Sequence, residues 1–131
     1  MEYDYDPESP SLGIIIIRGE RLPESLRSLP DRDRPAFLSL AGDDTLLHES
    51  MVMVCGARDA SDTALDAAYR CGRRIAETGF VVASGYARGV DMAAHRGALE
   101  AGGRTVALVP YGLSRFRLHR ELGDAFDRER F

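Results

Sequence analysis

Ala83-Ser-Gly-Tyr-Ala-Arg-Gly-Val-Asp-Met-Ala-Ala-His-Arg-Gly-Ala-Leu99 decides how the rest of this 131-residue chain is read. The apolar run Phe80-Val81-Val82-Ala83 leads into it with the composition and length of a strand. Ser84 to Gly89 then reads as a loop, and a helix of small residues begins near Val90. Strand, glycine-bearing loop and helix N-terminus in that order form an anion site. The first helical N–H groups lack intrahelical partners, and the helix dipole adds partial positive charge there. Gly85 and Gly89 permit positive φ and close backbone approach. Arg88 adds a permanent planar cation whose fork suits phosphate. A phosphate-bearing ligand is the expectation from these residues.

The flanking sequence repeats the pattern. Met51 to Cys55 reads as an apolar strand, and Gly56-Ala57-Arg58 as a tight turn. Ser61 or Asp62 caps a helix running to about Thr78. Its apolar positions Leu65, Ala68, Cys71, Gly72, Ile75 and Ala76 recur at helical spacing, and Gly79 is the expected terminator. After the central stretch the helix Val90 to Ala101 ends at Gly102-Gly103, and Thr105 to Val109 is a third strand. Residues 51–109 are therefore βαβαβ with short connections. Continuous apolar strands alternating with helices predict an α/β, Rossmann-like, doubly wound and mainly parallel sheet in three αβα layers. The dinucleotide version is disfavoured. The turn after the first strand has one glycine where GxGxxG needs three, and Ser84 stands where a ribose-binding carboxylate is expected.

The first half is less patterned. Residues 1–12 are acidic, with Glu2, Asp4, Asp6 and Glu8, and read as a disordered lead-in to a single domain over 13–131. Ile14 to Ile17 predicts a short buried strand. Pro23 opens a brief helix ending near Leu29, Pro30 to Pro35 is a charged turn, and Ala36 to Leu40 suits another strand. Leu46 and Leu47 pack a turn onto the core. Residues 114–130 read as polar helical turns, with Arg115, Arg117, Arg120, Arg128 and Arg130 on a solvated face.

Charge is uneven. Residues 1–49 carry five arginines against eleven acids, and residues 50–131 twelve against ten, for a net charge of -4 with no lysine anywhere. No global basic signature of a nucleic-acid binder is present. The two cysteines, Cys55 and Cys71, match no metal spacing and read as free thiols in core positions. With no apolar signal core and no long apolar run, the chain reads as cytoplasmic and without a membrane partner. No cofactor, metal site or catalytic residue is expected. Asp91 and His95, at i,i+4 beside Ser84, mimic a catalytic set. The preferred reading is that Asp91 supports the helix start and His95 packs locally. Tyr86 and Tyr111, in loops at strand carboxyl ends, can stack on a base or pack into turns.

Val54-Cys-Gly-Ala-Arg58, Ser84-Gly-Tyr-Ala-Arg-Gly-Val-Asp91, Ala94-His-Arg-Gly-Ala-Leu99 and Gly102-Gly-Arg-Thr-Val-Ala107 together resemble the DNA-processing protein A family (DprA, also called Smf). Upstream, Arg18 to Leu26 and Gly42-Asp43 resemble that family's lead-in. The resemblance spans roughly residues 13–115 and implies a single-stranded-DNA binder rather than an enzyme. The implied role is in DNA uptake during natural transformation, with a RecA-type recombinase as partner and a homodimer as assembly. Carried over by position, Gly56, Arg58, Ser84, Gly85, Tyr86, Arg88 and Gly89 are the phosphate- and DNA-binding set. Ala57 departs from the family's Ser or Thr and removes one hydroxyl donor. The family's second half has no counterpart before Phe131, so the domain reads as incomplete at its C-terminus. The alternative is a LOG-type nucleoside 5′-monophosphate phosphoribohydrolase, whose PGGxGTxxE motif is missing here, or a nucleotide-sensing module on the same scaffold. If the strand order is 3-2-1, both crossover helices share one face and the first strand keeps a free edge. Self-association or marginal stability of the 131-residue chain is then expected, relieved by sequence beyond Phe131.

Overall fold

A computed structural model describes residues 13–123, 125, 130 and 131. The acidic lead-in read over residues 1–12, and Arg128 with its acidic neighbours, lie outside the described residues. The strands are β1 (Ile14–Ile17), β2 (Leu38–Ala41), β3 (Met51–Met53), β4 (Val81–Ser84) and β5 (Thr105–Ala107). The helices are α1 (Glu24–Arg27), α2 (Asp62–Glu77) and α3 (Val90–Glu100), with 3-10 turns between several elements.

The α/β, Rossmann-like reading holds. Strands β3, β4 and β5 form a parallel sheet in that order, through the expected βαβαβ connections. Right-handed crossovers then put α2 and α3 on one face. The local signals act where the sequence placed them. Ser61 caps α2 by accepting the Ala64 N–H at 3.3 Å, and Gly79 follows the helix at φ 89°. Val82 of β4 packs with Ala94 and Ala98 of α3, and Ile75 and Ala76 of α2 close over them. The two helices meet through small residues, Ala68 and Gly72 on one and Ala94, Gly97 and Ala98 on the other. No helix of the described residues is long and apolar enough to cross a membrane.

Three expectations fail. First, β1 is not buried: Ile14, Ile15 and Ile16 are exposed, and only Ile17 is enclosed. The strand pairs antiparallel with β2 in a separate two-stranded ribbon, so neither face gains the cover of a full sheet. Second, Cys55 and Cys71 are exposed free thiols. Cys55 follows β3, the outer strand, whose Met53 is 58 % exposed. Cys71 lies one residue, about 100° of helical rotation, from the buried Gly72. Third, the segment after β5 is not a polar face alone. Phe116, Leu118 and Leu122 are buried, and Leu118 and Leu122 join Met92 and Leu99 in a second core. Arg115, Arg117 and Arg120 stay outside it.

Candidate functional site

The registers Met53↔Ala83 and Ser84↔Ala107 bring the carboxyl ends of the three parallel strands level. Three loops therefore leave the sheet side by side: 54–61 after β3, 85–89 after β4 and 108–112 after β5. The first two are locked together. The Val90 N–H donates to the Ala57 carbonyl at 3.2 Å. Gly89, at φ 86°, lies against the carbonyls of Ala57 and Arg58, where a Cβ would come within 2.6 Å of the Arg58 oxygen. Gly56 lies against Val90, and a Cβ there would be 2.8 Å from that side chain. Here glycine is required by contact between two loops.

That interlock presents Arg58 and Arg88 on adjacent loops. Both are exposed, and among the described residues neither side chain makes an ion pair or hydrogen bond. A structural salt bridge, the other use an arginine could have here, is not formed by either among the described residues. Arg104 shows the contrast, bonding Glu49 at 2.9 Å and the Gly79 carbonyl at 3.0 Å.

The other candidates are placed differently. Ser84 is fully enclosed, and its hydroxyl donates to the Val54 carbonyl at 2.6 Å. Gly85 sits over Asp91, whose Oδ2 accepts the Ala87 N–H at 3.4 Å. Tyr86, at φ 65°, turns its ring inward against Phe116, His95 and Phe131, at centroid distances of 4.8, 5.7 and 5.9 Å. Its hydroxyl accepts the His119 N–H at 2.8 Å and donates to the Arg117 carbonyl at 3.3 Å. Burial pushes this phenol well above the usual tyrosine range. The ring packs against these three and is half-buried.

The helix terminus also differs from expectation. The Val90, Met92 and Ala93 N–H groups are taken by the carbonyls of Ala57, Ala87 and Gly89. The Asp91 carboxylate, in the first turn of α3, already answers the dipole. With the Val90 and Met92 amides engaged and Asp91 in the first turn, the two guanidinium groups are the main positive charge at this site.

His95 and Thr105 are buried polar residues whose pairing the sequence did not reveal. The Thr105 hydroxyl donates its one proton to the Val82 carbonyl at 2.8 Å, so its 2.6 Å contact with His95 Nδ1 is one it accepts. That network assigns the Nδ1–H tautomer and ties α3 to β4 and β5. Ser84 and His95 are each bonded elsewhere, so no serine–histidine pair forms. Nε2 of His95 and Oδ1 of Asp91 have no hydrogen-bond partner among the described residues.

Burial depresses the His95 pKa to about 4, against a smaller opposing pull from Asp91. The folded value lies below the unfolded one, so the stabilisation is complete above pH 6.5 and is lost as pH falls toward 4. The full effect is about 3 kcal/mol, of which about 2 kcal/mol is gone at pH 5. Urea midpoints at pH 7.5 and 5.0 check this. They should differ for the native chain and converge for His95→Gln; equal native midpoints would refute the burial argument.

A separate cavity of about 440 Å³ lies between the β2 side and β5, lined by Leu40, Leu46, Val106, Leu113 and Phe116 among others. None of the seven candidate residues lines it.

Comparison with known proteins bears on this geometry. Residues 13–123 match the family model for DNA recombination-mediator protein A. The chain is 36 % identical over 84 residues to the DNA processing protein DprA of Streptococcus pneumoniae, covering 64 % of this chain and 29 % of that one. Against protein Smf of Escherichia coli it is 33 % identical over 111 residues, 82 % of this chain and 28 % of that one. The crystal structure of the S. pneumoniae protein superposes with a TM-score of 0.69 at 31 % identity, covering 83 % of this chain and 38 % of that one. DNA processing protein A of Helicobacter pylori, described for its single-stranded DNA binding mode, shares the fold with a TM-score of 0.73 at 24 % identity, covering 90 % of this chain and 54 % of that one. The chain thus spans about a third or less of the length of the curated relatives it matches, 28–34 %.

Proposed function

The chain belongs to the DNA recombination-mediator protein A family, and from that premise we propose that it binds single-stranded DNA through phosphate contacts from Arg58 and Arg88. The observation that carries the reading is the pair of exposed guanidinium groups, unpaired among the described residues, on interlocked loops at the level carboxyl ends of β3 and β4. Ligands of open α/β sheets bind outside the carboxyl ends of the strands. Guanidinium forks suit phosphate oxygens, and contacts confined to phosphate carry no base preference. Gly56, Gly85 and Gly89 serve the site by letting the loops close on each other and on α3. Ser84 and Tyr86 support it from beneath. Within the family's DNA processing, the role we assign is protection of incoming single strands in natural transformation and their hand-over to a RecA-type recombinase, with a homodimer as the acting form.

Fluorescence anisotropy with labelled oligonucleotides tests the binding step. Single strands of different sequence should bind alike, more weakly as salt rises, and better than duplex of the same length. Equal affinity for duplex, or no binding to any strand at low salt, would overturn the reading. Release of free base from a nucleoside monophosphate would instead establish the phosphoribohydrolase alternative.

A further inference from the structure

We infer that Tyr86 is a positioning residue, which holds the Arg88 loop in shape by hooking it to the segment after β5; the assignment rests on the single-strand reading above. Tyr86 and Arg88 share the loop 85–89 between β4 and α3. Arg88 is exposed, whereas the Tyr86 ring is turned inward. Among the described residues, Tyr86 is the only one besides glycine with a positive φ, 65°. A Cβ makes that left-handed conformation unfavourable, so a tyrosine keeps it only where its surroundings impose it.

The segment after β5 imposes it. Phe116 and Phe131 lie against the ring, with centroids 4.8 and 5.9 Å away. The hydroxyl accepts the His119 N–H at 2.8 Å and donates to the Arg117 carbonyl at 3.3 Å, so it is pinned between two backbone groups of one segment. Leu118, between those two residues, is buried with Met92, Leu99 and Leu122, which fastens the anchor to α3.

The rest of the loop is held as well. The Ala87 N–H donates to Asp91 Oδ2 at 3.4 Å, and the Ala87 carbonyl accepts the Met92 N–H at 3.2 Å. Gly89, on the other side of Arg88, lies against the Ala57 and Arg58 carbonyls. The backbone on both sides of Arg88 is therefore ordered before any ligand arrives, and binding has less conformational entropy to remove. Without the Tyr86 hook, nothing would oppose relaxation of the left-handed residue, and the guanidinium would lose its fixed place.

A double-mutant cycle with Arg88 tests the role, read by fluorescence anisotropy on an oligothymidylate and on an abasic strand of the same length. Tyr86→Phe keeps the ring and loses both hydroxyl bonds. Tyr86→Gly accepts the backbone conformation without strain and loses the whole anchor. Binding of both strands should weaken about threefold in Tyr86→Phe and on the order of tenfold in Tyr86→Gly. In an Arg88→Ala background neither change should weaken binding further, because Tyr86 acts through Arg88. Tyr86→Phe keeps the core contacts and decides the matter alone if Tyr86→Gly does not fold. Three results overturn the assignment: native affinity in Tyr86→Phe, an equal loss with and without Arg88, or a loss confined to the oligothymidylate, which would make the ring a stacking surface. If the native chain binds neither strand, or Arg88→Ala binds as the native chain does, the phosphate reading of Arg88 itself falls, and the positioning role with it.

Discussion

Gly97→Ala is expected to destabilise the protein by about 3 kcal/mol and to lower its melting temperature by roughly 10 °C or more. On an exposed helix the same change would stabilise by up to about 1 kcal/mol, because alanine is the better helix former. Here packing opposes propensity. An added Cβ would fall well inside van der Waals contact distance of the Tyr69 carbonyl oxygen, 2.9 Å from its carbon and 3.0 Å from the Arg73 nitrogen. These are backbone atoms of α2, which cannot rotate aside as a side chain can. Gly72 is the counterpart, facing the Ala94 carbonyl of α3. The helices can accept a methyl only by separating, which would lift α3 from Val82 and disturb the buried His95–Thr105 bond. Thermal melts followed by circular dichroism check this. A melting temperature equal to or above the native one would show that propensity prevails and that the helices are not in backbone contact.

Displacement of α3 would also reach the site, since Gly89 and Val90 hold the Ala57–Arg58 turn. Fold and candidate site are legible in the sequence to different depths for this reason. Periodicity and terminators are local: Ser61, Gly79, Gly102 and the apolar runs of β4 and β5 each act on their own few residues. They locate α2, α3 and the parallel strands, and chain connectivity then sets their order. Where a side chain finally points depends on neighbours distant in sequence. Ser84 reads as a phosphate ligand by position, yet its hydroxyl is spent on Val54, 30 residues away. Tyr86 reads equally as a base-stacking or a turn-packing ring, and the C-terminal segment supplies Phe116 and Phe131 for it to pack on. Cys55 reads as core because a strand interior is normally enclosed, but β3 is an edge. The helix amides read as open because helix ends usually are, and loop carbonyls from Ala57 and Ala87 take those of Val90 and Met92. Arg58 and Arg88 lie exposed on the loops that the sequence predicts after the first two parallel strands, and among the described residues neither side chain has a partner to draw it inward.

That lack of engagement makes the arginines separable from stability. In Arg58→Ala/Arg88→Ala the affinity for single strands should fall on the order of a hundredfold, since each charge-assisted contact contributes about 1.5–3 kcal/mol and coupling reduces the sum. The slope of log affinity against log salt should flatten by about 0.7 for each arginine removed. The weakening should be uniform across sequences, because both guanidinium groups act on phosphate and neither reads a base. Arg88→Lys should recover part of the affinity but not all, as an ammonium keeps the charge and lacks the fork. The melting temperature should stay within a degree or two of native, because neither side chain holds another element in place. Arg104→Ala is the opposite control. It breaks the bonds to Glu49 and the Gly79 carbonyl, so it should lower stability and leave the salt slope intact. If the double variant instead kept its affinity and slope while melting lower, the guanidinium groups would be structural, and phosphate recognition would have to be sought among the arginines after β5.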